Sequence, residues 1–139
     1  MTPSPQVPRS ILVVDDEPPI RALLARQLRV LGYTVVEAGS AQAALALAGE
    51  QSSPFDLVLS DIVMPGMNGT ELCARLLERN PRQALILISA HAPSGEVGLR
   101  GEIGAVPLLR KPFTVAELAV VLDRVLGARA PARETPLAG

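Results

Sequence analysis

The chain has 139 residues, of which 48% are hydrophobic, and its formal net charge is −1. This length suits one domain with a buried core, and the near-neutral charge without runs of basic residues gives no sign of a nucleic-acid-binding surface. A single cysteine excludes a disulfide within the chain, and the scarcity of aromatic residues argues against sites that stack bases or sugars.

Both ends of the chain are predicted to be flexible tails around one domain at residues 9–127. Three prolines lie within residues 1–8, and residues 128–139 are rich in Ala and Pro without periodicity. The N-terminus has no apolar segment typical of a secretory signal. No apolar stretch approaches the ~20 residues that a membrane helix needs. We therefore expect a cytoplasmic protein that makes no membrane contact.

Five short apolar runs recur along the chain and predict β-strands. Four of them are almost continuous rather than alternating, which is typical of strands covered on both faces in a parallel sheet. The runs occupy residues 11–14, 34–38, 56–60, 84–89 and 106–110.

Helical patterns lie between these runs. After the first run, an apolar stripe with helical spacing extends from Ile20 to Leu31. Pro18 and Pro19 suit the first turn of this helix, and Gly32 suits its end. The sequence therefore predicts a first helix from about residue 18 to residue 31.

Three more helical segments are indicated by their end signals. One further segment, which would be the fourth helix in chain order, has only a weak helical pattern. Ser40 is the predicted cap of an alanine-rich helix, leucines after Gly69 predict the next, and Thr114 with Glu117 forms a capping box before the last. Between the fourth and fifth runs, glycine recurs at every third position, and each interior glycine costs a helix about 1 kcal/mol. We expect the helix there to be short or mobile. The glycines are Gly95, Gly98, Gly101 and Gly104.

Alternating strands and helices predict an α/β fold with a parallel sheet and right-handed crossovers. In open α/β sheets, ligands bind beyond the carboxyl ends of the strands. The second run ends near Glu37 and contributes no comparable group. The other four runs lead into polar side chains that we expect to crowd one edge of the sheet: Asp15 and Asp16, Asp61, Ser89 and Lys111.

Three carboxylates and one ammonium at this edge leave two negative charges, which a divalent cation would neutralise. Mg²⁺ suits the site because it prefers oxygen ligands, and the chain has no set of His and Cys residues for zinc. The cation would keep Asp61 ionised, so that its carboxylate could act as a nucleophile. Ser89 would supply a hydroxyl donor and Lys111 a positive charge, which are the partners that a transferring phosphoryl group needs.

These motifs resemble the receiver domain of two-component response regulators, over about residues 10–127. The resemblance rests on the segments ILVVDDEP, DLVLSDIVMPGMNG, LILISA and LLRKPF. It implies a single domain with a flavodoxin-like (βα)5 doubly wound parallel sheet in the order 2-1-3-4-5. It also implies a signalling module, either a stand-alone receiver or the receiver part of a hybrid kinase.

The resemblance implies a role for each acid. Asp61 would accept a phosphoryl group from a histidine kinase or a phosphotransfer protein. Asp15, Asp16 and Asp61 would hold Mg²⁺ together with the backbone carbonyl of Val63. The module would then change conformation and signal to a downstream protein. It would be a phosphoacceptor rather than an enzyme, although it could assist its own phosphorylation and dephosphorylation.

The resemblance also assigns the remaining groups. Ser89 would hydrogen-bond the phosphoryl group and move in the switch, and Lys111 would pair with that group beside a cis bond to Pro112. Family members usually carry an aromatic switch residue where this chain has Leu108. We therefore expect backbone movement to convey the signal.

Two positions are predicted to tune hydrolysis of the phosphoaspartate. Val63 lies two residues after Asp61, and His91, the single histidine, lies two residues after Ser89. In the family such positions flank the phosphoryl group. His91 would modulate the access of water, with an exposed loop residue as the alternative interpretation.

Other functions stay open at this point. Phosphatases or phosphotransferases with an aspartate nucleophile commonly carry a second acid where this chain has Val63. A flavin-binding flavodoxin would need a phosphate-cradling loop where the first run leads into acids. An interaction module without phosphorylation would lack labelling at Asp61. We expect no DNA-binding output, since the segment after residue 127 is too short to fold as a domain.

Overall fold

A computed structural model describes residues 9–90, 95–98 and 105–127. The strands are β1 (Ser10–Val14), β2 (Thr34–Ala38), β3 (Leu57–Asp61), β4 (Leu85–Ser89), β5 (Gly95–Gly98) and β6 (Ala105–Arg110). The helices are α1 (Pro18–Val30), α2 (Ala41–Glu50), α3 (Gly69–Arg79) and α4 (Val115–Gly127). None of these four helices is long and apolar enough to cross a bilayer. The predicted tails, 1–8 and 128–139, lie outside the described residues.

The six strands form one sheet in the spatial order β2-β1-β3-β4-β6-β5. The first five in this order are parallel, and each matches a predicted apolar run to within one residue at either end. When the five predicted strands are numbered along the chain, their spatial order in the sheet is 2-1-3-4-5. The flavodoxin-like parallel sheet is therefore confirmed.

β5 occupies part of the segment where the sequence predicts a short fourth helix, and for these residues that prediction is wrong. Gly95–Gly98 pairs antiparallel with β6, and Gly95 lies opposite Leu108. Glycine is a weak helix former, whereas an edge strand needs hydrogen bonds along only one side. The flanking residues 91–94 and 99–104 are not among those described.

Side chains of the parallel strands alternate between two hydrophobic clusters, one on each face of the sheet. In β1, Ile11 and Val13 pack in the cluster that includes α1 and α4. Leu12 and Val14 pack in the cluster that includes α2 and α3. All four side chains are at most 1% exposed, and burying each contributes about 1.5–3 kcal/mol. Coverage of both faces explains why the runs are continuous rather than alternating.

The predicted helix ends are confirmed where the structure describes them. Gly32 follows α1 with a φ of 104°. The Ser40 hydroxyl accepts a hydrogen bond from the Ala43 N–H at 3.1 Å. Thr114 and Glu117 form the predicted capping box, with reciprocal bonds of 3.0 Å and 2.9 Å. These contacts set where α2 and α4 begin and therefore where the preceding loops end.

α1 buries a narrower face than its apolar stripe predicts. Leu24, Ala25 and Leu28 are buried, whereas Ile20 is 39% exposed and Leu23 is 55% exposed. At 100° per residue, the buried face is centred between Leu28 and Ala25, and Leu23 lies on the other side of the helix. Ala25, which is fully buried, lies on the face of α1 that packs on the sheet.

A close backbone approach occurs where α3 begins. The Gly69 N–H donates to the Ile62 carbonyl at 2.8 Å, which closes residues 62–69 into a loop. A Cβ atom at Gly69 would collide with the backbone carbonyl of Asp61. The tip of this loop contains Gly66 with a φ of 79°. Glycine at position 69 therefore sets the distance between α3 and the end of β3.

Replacing Gly69 with alanine should lower the free energy of unfolding by about 1–3 kcal/mol, because the backbone must shift to admit the methyl group. Gly49→Ala in α2 is the matched control. Its Cβ would meet only the Arg79 Nη1 atom at 3.5 Å, and alanine is the better helix former by up to about 1 kcal/mol. Urea unfolding measures both variants. Equal stabilities would contradict the close approach.

Candidate functional site

The register between β1 and β3 brings two predicted acids together. Val14 lies opposite Ser60 in this parallel pair, so Asp15 and Asp61, the next residues, are neighbours at the carboxyl edge. The Ser60 hydroxyl donates to the Asp61 backbone carbonyl at 2.9 Å, which fixes the end of β3. Two carboxylates from separate segments therefore meet at one point.

The pairing between β4 and β6 adds the hydroxyl and the cation. Ser89 ends β4 opposite Arg110. The Lys111 N–H donates to the Ser89 carbonyl at 2.8 Å, which extends the ladder by one residue. Ser89 is buried. The Lys111–Pro112 peptide bond is cis, as predicted.

The predicted acids form a compact cluster. Asp15, Asp16 and Asp61 each offer one carboxylate oxygen within 4.8 Å of the others. The Lys111 Nζ atom lies 3.6 Å from Asp15 Oδ2 and 3.7 Å from Asp61 Oδ2. One ammonium cannot balance three carboxylates, so the cluster stays negative and attracts a cation.

The surroundings of Asp61 disfavour its charged form. Burial raises the pKa of the Asp61 carboxyl above its ordinary value, and the nearby charges of Asp15 and Asp16 raise it further. The Lys111 ammonium and a hydrogen bond from the Ile62 backbone lower this pKa but do not cancel the rise. A bound cation would favour the ionised form that a nucleophile needs.

Asp15 shows that the residues present fit a hard cation. Its Oδ1 accepts a hydrogen bond from the Glu17 N–H at 2.9 Å. Its Oδ2 is buried and accepts no hydrogen bond from the part of the chain that the structure describes. A buried oxygen without a donor is costly, and a metal ion would satisfy it. The set of three carboxylates suits Mg²⁺, which binds oxygen ligands and retains waters.

The other predicted residues have different surroundings. Val63 follows Asp61 by two residues with its side chain 66% exposed, and its carbonyl stays a predicted ligand. Leu108 lies in β6 and is buried in the cluster with α2 and α3, so the switch position holds an aliphatic core residue. His91 is not among the described residues, and its role stays a prediction.

Sequence reasoning missed Arg21 and Glu37. The Arg21 Nε donates to Glu37 Oε1 at 3.2 Å, and Nη1 donates to the Asp15 backbone carbonyl at 2.8 Å. The second run adds no group to the acid cluster itself, but Glu37 is linked to Asp15 through Arg21. β2 pairs with β1, so the end of β2 lies beside the acid pair. The strand order 2-1-3 is the signal that could have found this contact.

The fold and the site define a class of protein: a phosphoacceptor module on a doubly wound sheet, with acids, a hydroxyl and a lysine at its carboxyl edge. The family model for the response regulator receiver domain matches residues 11–123. The chain belongs to this family. Receiver domains are phosphorylated on aspartate in two-component signalling, and this is the functional class of the chain.

Individual relatives agree with this assignment. The transcriptional regulatory protein TcrA of Mycobacterium tuberculosis H37Rv is 37% identical over 128 residues, which cover 91% of this chain and 49% of TcrA. The sensor kinase CckA of Brucella abortus is 33% identical over 117 residues, which cover 84% of this chain and 12% of CckA. The chain thus spans about half the length of TcrA and a small part of CckA.

A solved structure supports the fold. The response regulator TrrA from Thermotoga maritima, in complex with Mg²⁺-BeF, superposes with a TM-score of 0.71 at 31% sequence identity. The match covers 85% of this chain and 99% of TrrA. The similarity therefore includes nearly the whole of a complete receiver fold.

In metal-free buffer, Asp61→Asn should raise the free energy of unfolding near neutral pH by about 1 kcal/mol. Because the pKa of Asp61 is raised on folding, its carboxylate destabilises the folded chain above that pKa, and this penalty disappears as the pH falls through it. The gain should therefore vanish in acid. Urea unfolding with EDTA at several pH values measures it.

Asp56→Asn is the matched control for this change. Asp56 is an exposed acid that precedes β3 at the opposite end of the strand, where it accepts a hydrogen bond from the Ser10 N–H at 2.7 Å. Its neutralisation should bring no gain in stability. If Asp61→Asn were no more stable than the parent at neutral pH, charge repulsion at the cluster would be contradicted.

Proposed function

We propose that Asp61 is the phosphoacceptor of this receiver domain and takes its phosphoryl group from a histidine kinase or a phosphotransfer protein. One observation carries the proposal: three carboxylates lie within 4.8 Å of one another, and Lys111 Nζ lies 3.6 Å and 3.7 Å from two of them. A carboxylate nucleophile beside a fixed cation is the arrangement that phosphoryl transfer needs.

Asp15, Asp16 and Asp61 would hold Mg²⁺ together with the backbone carbonyl of Val63. When bound, Mg²⁺ supplies positive charge that offsets the negative charge of the phosphoryl oxygens. The buried Asp15 Oδ2 atom, which lacks a donor among the described residues, supports this ligand set. The solved TrrA structure is a complex with Mg²⁺-BeF, which supports the same chemistry by family relationship.

In the proposed transfer, a carboxylate oxygen of Asp61 attacks phosphorus. The new O–P bond forms as the P–N bond to the donor imidazole breaks, and the electron pair leaves with the imidazole nitrogen. The Lys111 ammonium pairs with a phosphoryl oxygen, and the Ser89 hydroxyl donates a hydrogen bond to another. Both groups act mainly by position and charge, which is typical of phosphoryl-transfer sites.

The phosphorylated domain would signal by a change in conformation. A phosphoryl group adds negative charge and strong acceptor oxygens at the sheet edge. These would draw Ser89, at the end of β4, towards the phosphoryl group. Leu108 is buried and aliphatic, so we propose that backbone movement rather than an aromatic rotamer conveys the change to a downstream protein.

We propose that this chain acts as a signalling module rather than an enzyme with multiple turnovers, and that it does not itself contact DNA. We place it in the cytoplasm. The lone cysteine, Cys73, is buried, and burial raises the pKa of its thiol to about 12. The thiol is therefore unreactive. The placement in the cytoplasm is supported by the single cysteine, which leaves no disulfide within the chain.

Incubation with acetyl phosphate and Mg²⁺ should label the parent protein with one phosphoryl group. Asp61→Asn should abolish labelling, because the amide cannot attack phosphorus. Asp56→Asn, which makes the same change at the other end of β3, should label like the parent. Intact-protein mass spectrometry reads both results. Labelling that persists in Asp61→Asn would refute Asp61 as the acceptor.

We also propose that His91 modulates the access of water to the phosphoaspartate. Its position two residues after Ser89 motivates this assignment. His91→Ala should change the half-life of the phosphorylated protein severalfold at unchanged Mg²⁺ concentration. The decay of the labelled species over time measures this rate. An unchanged half-life would contradict the proposed role of His91.

A further inference from the structure

We propose that Arg21 is a positioning residue that holds the acid pair for cation binding from outside the site, with Glu37 holding Arg21 in turn. The inference rests on the proposed function of the acid cluster. It concerns residues that neither accept the phosphoryl group nor ligate the metal.

The contacts of Asp15 suggest how the positioning works. Its backbone N–H donates to the Ala38 carbonyl at 3.2 Å, and its backbone carbonyl accepts from Arg21 Nη1 at 2.8 Å. Its Oδ1 accepts from the Glu17 N–H. Neighbours on β2, on α1 and in the intervening loop therefore fix the whole residue. Among the described residues, Oδ2 accepts no hydrogen bond and lies 3.6 Å from Lys111 Nζ, so it is the Asp15 oxygen that can serve a ligand.

Arginine suits this position because its planar guanidinium presents several donors in a fixed fork. Arg21 uses Nε for the Glu37 carboxylate and Nη1 for the Asp15 carbonyl, and its side chain is only 20% exposed. A lysine ammonium is a single point charge and cannot reproduce this planar pair of directions. Gly39 leaves room for the fork, since a Cβ there would lie 3.2 Å from Nη1.

Glu37 also controls the charge beside the site. An unpaired guanidinium next to Asp15 would repel an incoming cation. The Glu37 carboxylate lies 3.2 Å from Arg21 Nε and offsets that charge, although it also lies 3.9 Å from Arg29 Nη2. Arg21 can therefore hold the Asp15 backbone while its own charge is paired with a carboxylate.

Arg29 provides an internal control on the same helix. Its Nη2 donates to a β2 carbonyl, that of Val35, at 3.1 Å and lies 3.9 Å from Glu37 Oε2. It thus makes the same kinds of contact as Arg21. It lies eight residues further along α1, about two turns away from the acid pair. An effect that Arg29→Gln does not share would therefore point to what Arg29 lacks, above all the bond to the Asp15 carbonyl.

The test is calorimetric titration of the full chain with Mg²⁺, for the parent, Arg21→Gln and Arg29→Gln. We expect Arg21→Gln to raise the Mg²⁺ Kd about tenfold, as for other groups that orient metal ligands, and Arg29→Gln to raise it less than about twofold. Arg21→Lys should fail to restore the parent Kd. Urea unfolding with EDTA reports the structural effect of each substitution separately.

A second variant, Glu37→Gln, keeps the proposal testable if Arg21→Gln does not fold. Glu37→Gln leaves the Arg21 charge unbalanced and should also weaken Mg²⁺ binding, with an effect that shrinks as salt concentration rises. Equal Mg²⁺ affinities in Arg21→Gln and Arg29→Gln would overturn the positioning role while leaving the proposed function intact. Absence of Mg²⁺ binding in the parent would overturn both.

Discussion

Mutual repulsion among Asp15, Asp16 and Asp61 is the constraint around which this molecule is arranged. A single ammonium from Lys111 balances only part of their charge. The acids nevertheless stay together, because they follow or end strands whose registers are set by buried clusters on both faces of the sheet. Core packing therefore offsets the repulsion within the charge cluster. The folded chain is less stable because of these acids, which the site needs for its chemistry.

The sequence predicts the parallel sheet and most of the site for one physical reason. Strands covered on both faces must be continuously apolar, so the runs are visible without knowledge of the fold. The carboxyl end of each run then marks where a ligand-binding side chain can lie. For this reason the sequence alone predicts that Asp61, Ser89 and Lys111 lie at one edge of the sheet, and the structure places them there.

Features that depend on contacts between distant segments are not predictable in this way. The bond from Arg21 to Glu37 requires β2 to lie beside β1, and local periodicity does not report strand order. β5 forms because β6 offers an edge, which no pattern within Gly95–Gly98 reveals. The exposure of Leu23 reflects how far α1 is rotated against the sheet, which apolar spacing alone leaves open.

The loop that Gly69 closes has a mechanical consequence. The bond from its N–H to the Ile62 carbonyl pins both ends of the loop at its base, directly after Asp61. Because Gly69 is the first residue of α3, this bond ties the backbone that follows the nucleophile to the start of a helix. The position of Asp61 thus depends on α3 as well as on the strands beside it, since Gly69 also approaches the Asp61 carbonyl.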